Sequence, residues 1–73
     1  MIIKTQDEKV YNFFDKQGRE FVAFDGKEFL VKTKLAWVGK PMELEYAPVD
    51  AKGMPQESVF ITTTSPVVEI RLK

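Results

Sequence analysis

The stretch Phe21-Val22-Ala23-Phe24-Asp25-Gly26-Lys27-Glu28-Phe29-Leu30-Val31 carries the strongest local signal in the chain. Two runs rich in strand formers flank an Asp-Gly pair, and Asp-Gly supplies the positive backbone angles that a type I′ hairpin turn requires. The stretch therefore reads as two antiparallel strands joined by a tight turn, which sets an expectation of β structure for its neighbours.

Downstream, Met42-Glu43-Leu44-Glu45-Tyr46 and Val68-Glu69-Ile70-Arg71-Leu72-Lys73 alternate apolar and charged residues strictly. A period of two places one row in a core and the other in water when the backbone is extended. Ser58-Val59-Phe60-Ile61-Thr62-Thr63-Thr64 is dense in β-branched and aromatic residues, whose stiff side chains suit a pleated surface. Ser65-Pro66 is expected to break that strand and turn the chain into the last one. Gly39-Lys40-Pro41 reads as a bend after a strand ending near Val38. Pro48 through Pro55 has little to bury and is expected to be an exposed loop, the most mobile part of the chain.

Upstream, two readings compete. Thr5-Gln6-Asp7-Glu8 matches a helix capping box, with Val10, Phe13, Phe14 and Gln17 on one helical face and Gly18 as a left-handed stop. Against a helix, Val10-Tyr11-Asn12-Phe13-Phe14 is rich in strand formers, and Asp15-Lys16-Gln17-Gly18 makes a loop into Arg19-Glu20-Phe21. The hairpin is favoured. The expected fold is all-β, with one short helix as the alternative for the first quarter. Six or seven short strands would form a strongly bent antiparallel sheet or a small barrel of SH3-like or OB-like type. No linker or repeat divides residues 1–73, so one domain is expected.

Composition narrows the chemistry. The 73 residues hold no Cys and no His, which removes the usual zinc ligands, thiol nucleophiles and disulfides, and the commonest general base near neutral pH. Eleven Lys and Arg balance eleven Asp and Glu, whereas a chain that neutralises many phosphates usually carries a basic excess. Glu43 and Glu45 share the outer face of one predicted strand and read as a solvated surface. Asp7, Glu8, Asp25 and Asp50 are explained as cap or turn residues, and glycines 18, 26, 39 and 53 are scattered turn markers with no phosphate-binding loop among them. No catalytic constellation, cofactor or metal is expected, and an enzyme is not.

The longest apolar runs, Phe21 to Phe24 and Leu35 to Val38, are four residues each, against roughly 20 needed to span a bilayer. Met1-Ile2-Ile3-Lys4 leads straight to Asp7-Glu8-Lys9 without the apolar stretch of a secretory signal, and the lack of cysteine fits a reducing compartment. A cytoplasmic location is the expectation. A domain this small buries only about 60% of its unfolded surface, so a partner or a homodimer could add to its stability.

The distribution of charge adds a candidate surface. Phe29 to Met42 contains Lys32, Lys34 and Lys40 and no acid, whereas Glu43 to Glu57 contains four acids against Lys52, suggesting a molecule with charged poles. Strand parity turns Lys32 and Lys34 one way and Thr33, Leu35 and Trp37 the other, with the core. The alternative makes Trp37 part of a binding surface with Lys32, Lys34 and Lys40. Tyr11 and Phe13 share one face of the first predicted strand, and if Phe14 packs inward they form an outward aromatic pair that adds to this surface. If the sheet curls around both faces, they do not.

In its length, its lack of cysteine and its neutrality, the chain resembles the small phage-encoded proteins that bind bacterial RNA polymerase and redirect transcription. The resemblance rests on the character of the whole chain and transfers no functional residue. It implies a non-enzymatic regulator that binds a larger protein machine, with RNA polymerase as the expected partner. The binding surface would be an edge strand with Tyr11, Phe13, Lys32, Lys34, Trp37 and Lys40. Two other classes are weighed beside it: a single-stranded nucleic-acid-binding small barrel, with bases stacked on rings and phosphates on lysines, and an assembly module that adds its edge strand to a larger sheet.

Overall fold

A computed structural model describes residues Met1 to Leu72, and it is all-β. The strands are β1 (Ile2–Thr5), β2 (Val10–Lys16), β3 (Arg19–Phe24), β4 (Lys27–Leu35), β5 (Pro41–Pro48) and β6 (Phe60–Arg71). They follow one another around a closed antiparallel barrel in chain order, and β6 closes the ring on β1. Among the described residues there is no helix, so none long and apolar enough to cross a membrane.

The Asp-Gly hairpin is present. Asp25 and Gly26 have φ of 52° and 76°, and Phe24 pairs with Lys27 directly across the turn. The first quarter is a hairpin as well: β2 pairs with β3 from Asn12↔Ala23 to Lys16↔Arg19. Its turn is shorter than the four residues anticipated, because Gln17 and Gly18 alone make it, with φ of 55° and 77°. Thr5-Gln6-Asp7-Glu8 does not start a helix; Glu8 N–H donates to Thr5 C=O at 2.9 Å and the chain turns back into β2.

Two expectations about strand ends are corrected. Ser65-Pro66 does not break the last strand in two, since β6 runs unbroken for 12 residues. Instead β6 changes partner there: Phe60 to Pro66 pair along β5, and Val67 to Arg71 pair with β1. Both ladders carry irregularities at this point, between Pro41 and Glu43 and between Lys4 and Thr5. Proline is tolerated where a ladder is interrupted because its missing N–H is not needed there. The Thr64 hydroxyl takes the Met42 amide at 3.0 Å, satisfying a donor next to the irregularity. The second correction concerns β4, which ends at Leu35 rather than near Val38. The chain then turns, with Lys40 N–H donating to Trp37 C=O at 3.2 Å, and Val38 bridges to Val67.

The interior holds Ile3, Tyr11, Phe13, Val22, Met42, Leu44 and Val67, all buried, with contributions from every strand except β4. Phe24, Phe29, Val31, Tyr46 and Ile70 pack against them while half-buried. A second apolar row, Phe14, Phe21, Leu30 and Ala47, crosses β2 to β5 at one level of the ladder, on the opposite side of the sheet from Phe13 and Val22. Phe21, Leu30 and Ala47 are buried as well, and Phe21 borders a cavity whose far wall is residues 49–53. The segment between β5 and β6 is the exposed loop expected, with Asp50 to Met54 all in water, and it carries bonds of its own: Val49 bridges to Pro55, and the Asp50 carboxylate accepts from Lys52 and Met54 amides, both at 2.9 Å.

Candidate protein-docking surface

A single inserted residue in β4 decides what lies on the surface. Val31 faces Tyr46 across the ladder, and Thr33 faces Glu45, so Lys32 is extra and parity reverses beyond it. This is the geometry of a β-bulge, which re-aims the side chains that follow it. Lys34 consequently pairs with buried Leu44, and Leu35 pairs with exposed Glu43. The anticipated parity, with Leu35 and Trp37 in the core row and Lys34 in solvent, is inverted from Thr33 onward.

Of the sequence-derived candidates, Tyr11 and Phe13 are removed from the surface, at 3% and 2% exposure. The closed sheet turns their face inward, and Phe14 stays half-buried on the other side against Phe21, 5.8 Å away between ring centroids. Replacing Phe13 with alanine would cost about 3–5 kcal/mol of folding stability, the usual penalty for emptying a buried aromatic site. Lys34 is half-buried. Its Nζ donates to Glu20 Oε2 at 2.5 Å and lies 4.6 Å from the Phe13 ring centroid, so its charge is largely neutralised within the molecule. Lys32, Trp37 and Lys40 are exposed, and the two lysines have no ion-pair partner among the described residues. The lysines of β4 do not face the glutamates of β5: Lys34 pairs across the ladder with Leu44, while Glu43 and Glu45 pair with Leu35 and Thr33.

What the structure brings together instead is a mixed apolar and acidic face on β4, β5 and β6. One level of the ladder is Thr33, Glu45 and Ile61; the next is Leu35, Glu43 and Thr63. Leu35 is 49% exposed and Ile61 74%, and Trp37, two residues past Leu35, is 58% exposed. A groove is lined by Thr33, Leu35, Glu43, Glu45 and Ile61, with Leu44 and the Glu20-paired Lys34 completing it. The Thr33 hydroxyl donates to Glu45 Oε1 at 2.6 Å, which fixes that carboxylate along the groove floor. Neither Glu43 nor Glu45 has a cationic partner within ion-pair distance among the described residues.

Sequence reasoning placed Glu43 and Glu45 correctly on an outer face but missed Leu35 and Ile61. Leu35 was hidden by the bulge, for which the sequence carries no marker. Ile61 sits in a run of hydroxyl and apolar β-branched residues with no alternation to say which side is wet. Among the described residues no three acidic side chains cluster as a metal ion would require.

No protein-family model matches the chain, and no curated protein or solved structure shows significant similarity to it.

Proposed function

We propose that this barrel is a non-enzymatic binding domain that docks on a larger protein through the β4, β5 and β6 face and the turn carrying Trp37. One observation carries the reading: Leu35 and Ile61 stand about half or more exposed beside two carboxylates that have no cationic partner among the described residues, and Trp37, two residues past Leu35, is exposed as well. Scattered exposed apolar residues need no explanation, but two of them on one groove with an exposed tryptophan on the adjoining turn have the composition of an interface core. Trp37 is the residue type that most often dominates binding energy. The sign of the charge differs from the lysine surface first anticipated. Glu43 and Glu45 favour a partner that presents Lys or Arg beside apolar side chains, and they would repel a phosphate backbone laid across the same face.

The resemblance in size and character to phage-encoded regulators makes bacterial RNA polymerase the first partner to test. Immobilised polymerase should retain the wild-type chain and lose it with Leu35→Asp, Trp37→Ala or Ile61→Asp, whereas Lys32→Glu should bind as wild type. Absence of binding at high micromolar concentration would reject polymerase. Labelled single-stranded oligonucleotide, titrated at about 50 and 200 mM salt, separates the nucleic-acid reading: tight binding with a steep salt slope would replace protein docking.

A further inference from the structure

The barrel is closed, yet one stretch of it is paired on a single side. β1 joins β6 only from Val67 onward, and beyond Thr5 the chain turns away after Gln6 N–H donates to Pro66 C=O and Asp7 N–H to the Ser65 hydroxyl. Among the described residues, Phe60 to Thr64 therefore have β5 on one side and no ladder partner on the other. Open edges of this kind are normally blunted by charge, proline or a bulge because their free N–H and C=O groups template pairing with another strand. Here Pro66 and the ladder irregularity lie only at the far end of the stretch, and Phe60 to Thr64 itself carries no such device. Ser58 to Ser65 contains no charged residue, no glycine and no proline, and within it Val59, Phe60 and Ile61 are 46%, 48% and 74% exposed.

We infer that this edge pairs with the same edge of a second copy of the chain, antiparallel about a two-fold axis near Thr62. A neutral edge offers nothing to select a basic or an acidic strand, but it is complementary to itself, since self-pairing brings no like charges together. With Thr62 on the axis, Ile61 of each copy faces Thr63 of the other, a β-branched pair well suited to cross-strand contact. The two barrels then share one sheet running β4, β5, β6, β6, β5, β4, with the Leu35, Glu43, Glu45 and Ile61 face repeated on either side of the axis. Leu35 and Trp37 lie outside this contact but Ile61 belongs to both surfaces, so Leu35→Asp should abolish docking and leave self-pairing intact, which tells failure of the one from failure of the other. Five residues of edge make a contact at or below the smallest specific interfaces, so the dimer should be weak, with a dissociation constant of roughly 10–100 µM.

Sedimentation equilibrium over about 10 µM to 1 mM should show reversible growth from monomer to dimer, since that range brackets the expected dissociation constant. Amide exchange at Phe60 to Thr64 should slow with protein concentration while the Asp25-Gly26 turn stays unchanged. Thr63 is exposed, and about this axis the two Thr63 side chains are diagonal neighbours. Thr63→Lys and Thr63→Glu therefore each bring two like charges within reach and should weaken self-association about tenfold or more. Thr63→Lys faces Glu43 in its own barrel and should fold normally, whereas Thr63→Glu opposes Glu43 and should melt slightly lower while staying folded. An equimolar mixture of the two should associate again. A monomer at every concentration overturns the inference. So does a dimer whose Phe60 to Thr64 amides exchange at the monomer rate, or one that both Thr63 variants leave intact.

Discussion

Asp7 and Tyr11 lie four residues apart and give the barrel opposite responses to pH. The hydrogen bond from the Thr5 hydroxyl is the main reason the Asp7 carboxyl is held below its ordinary value, with further help from the Ser65 hydroxyl and the Lys9 amide. A carboxyl depressed in the folded state stabilises it above the unfolded value, about 4, and that contribution is lost as pH falls through the folded value. Burial raises the Tyr11 phenol. Its contribution has the reverse sense: fully present below about pH 10 and lost as pH rises toward the folded value, because the unfolded chain ionises first. Lys9, raised mainly by its hydrogen bond to Asp25, declines in the same alkaline window, though its exposed pair contributes little. Thermal unfolding followed from about pH 2 to 11 should therefore lose its upper edge in Tyr11→Phe and soften its acid edge in Asp7→Asn. Parallel curves for wild type and Tyr11→Phe above pH 10 would mean the phenol is not buried. The same side chain shows why the candidate site was only partly legible. Its parity was readable from the sequence, but which of two faces the sheet would enclose was a property of closure, and closure put Tyr11 and Phe13 inside.

At the scale of elements, the turns were the most legible and the partner switch of β6 the least. Asp25-Gly26 announces itself because few residue pairs accept two successive positive φ values. A methyl group at Gly26 would meet nothing within 4 Å, so the glycine is required by its backbone angle alone. Gly26→Ala should cost about 1–2 kcal/mol, the penalty of a left-handed conformation for a residue with a Cβ, and Gly26→Asn should recover part of it. Urea unfolding measures both; a loss of much more than this would point to a packing role that the open surroundings do not support. Ser65-Pro66 misled for a physical reason: proline excludes a residue from the middle of a ladder, but it is equally content where one ladder ends and the next begins. The bulge at Lys32 left no trace in composition at all. That one residue moved Lys34 against Leu44 and Glu20 and put Leu35 in water, and with it changed the charge of the surface offered to a partner from basic to acidic.

For the molecule as a whole, the order in which contacts can form follows from where their residues lie along the chain. The β2 to β3 and β3 to β4 hairpins join neighbours through two-residue turns, whereas closure pairs Ile2 to Thr5 with Val67 to Arg71, nearly the full length of the chain apart. Closing a loop that long costs entropy which only a nearly formed interior can offset, so the β1 to β6 ladder should assemble last. Val22, in the central strand of the two hairpins and fully buried, belongs to the part that forms early. Ile3 is equally buried and equally apolar but sits in the closing strand. Truncations at the two positions should thus divide differently between the two rates. Val22→Ala should mainly slow folding, with a φ-value above about 0.5, and Ile3→Val should mainly speed unfolding, with a φ-value below about 0.3. Stopped-flow chevrons for the two variants decide the matter. A slowed folding limb in Ile3→Val would show that closure belongs to the nucleus, in which case the barrel condenses around its ends rather than zipping outward from the Asp25-Gly26 hairpin.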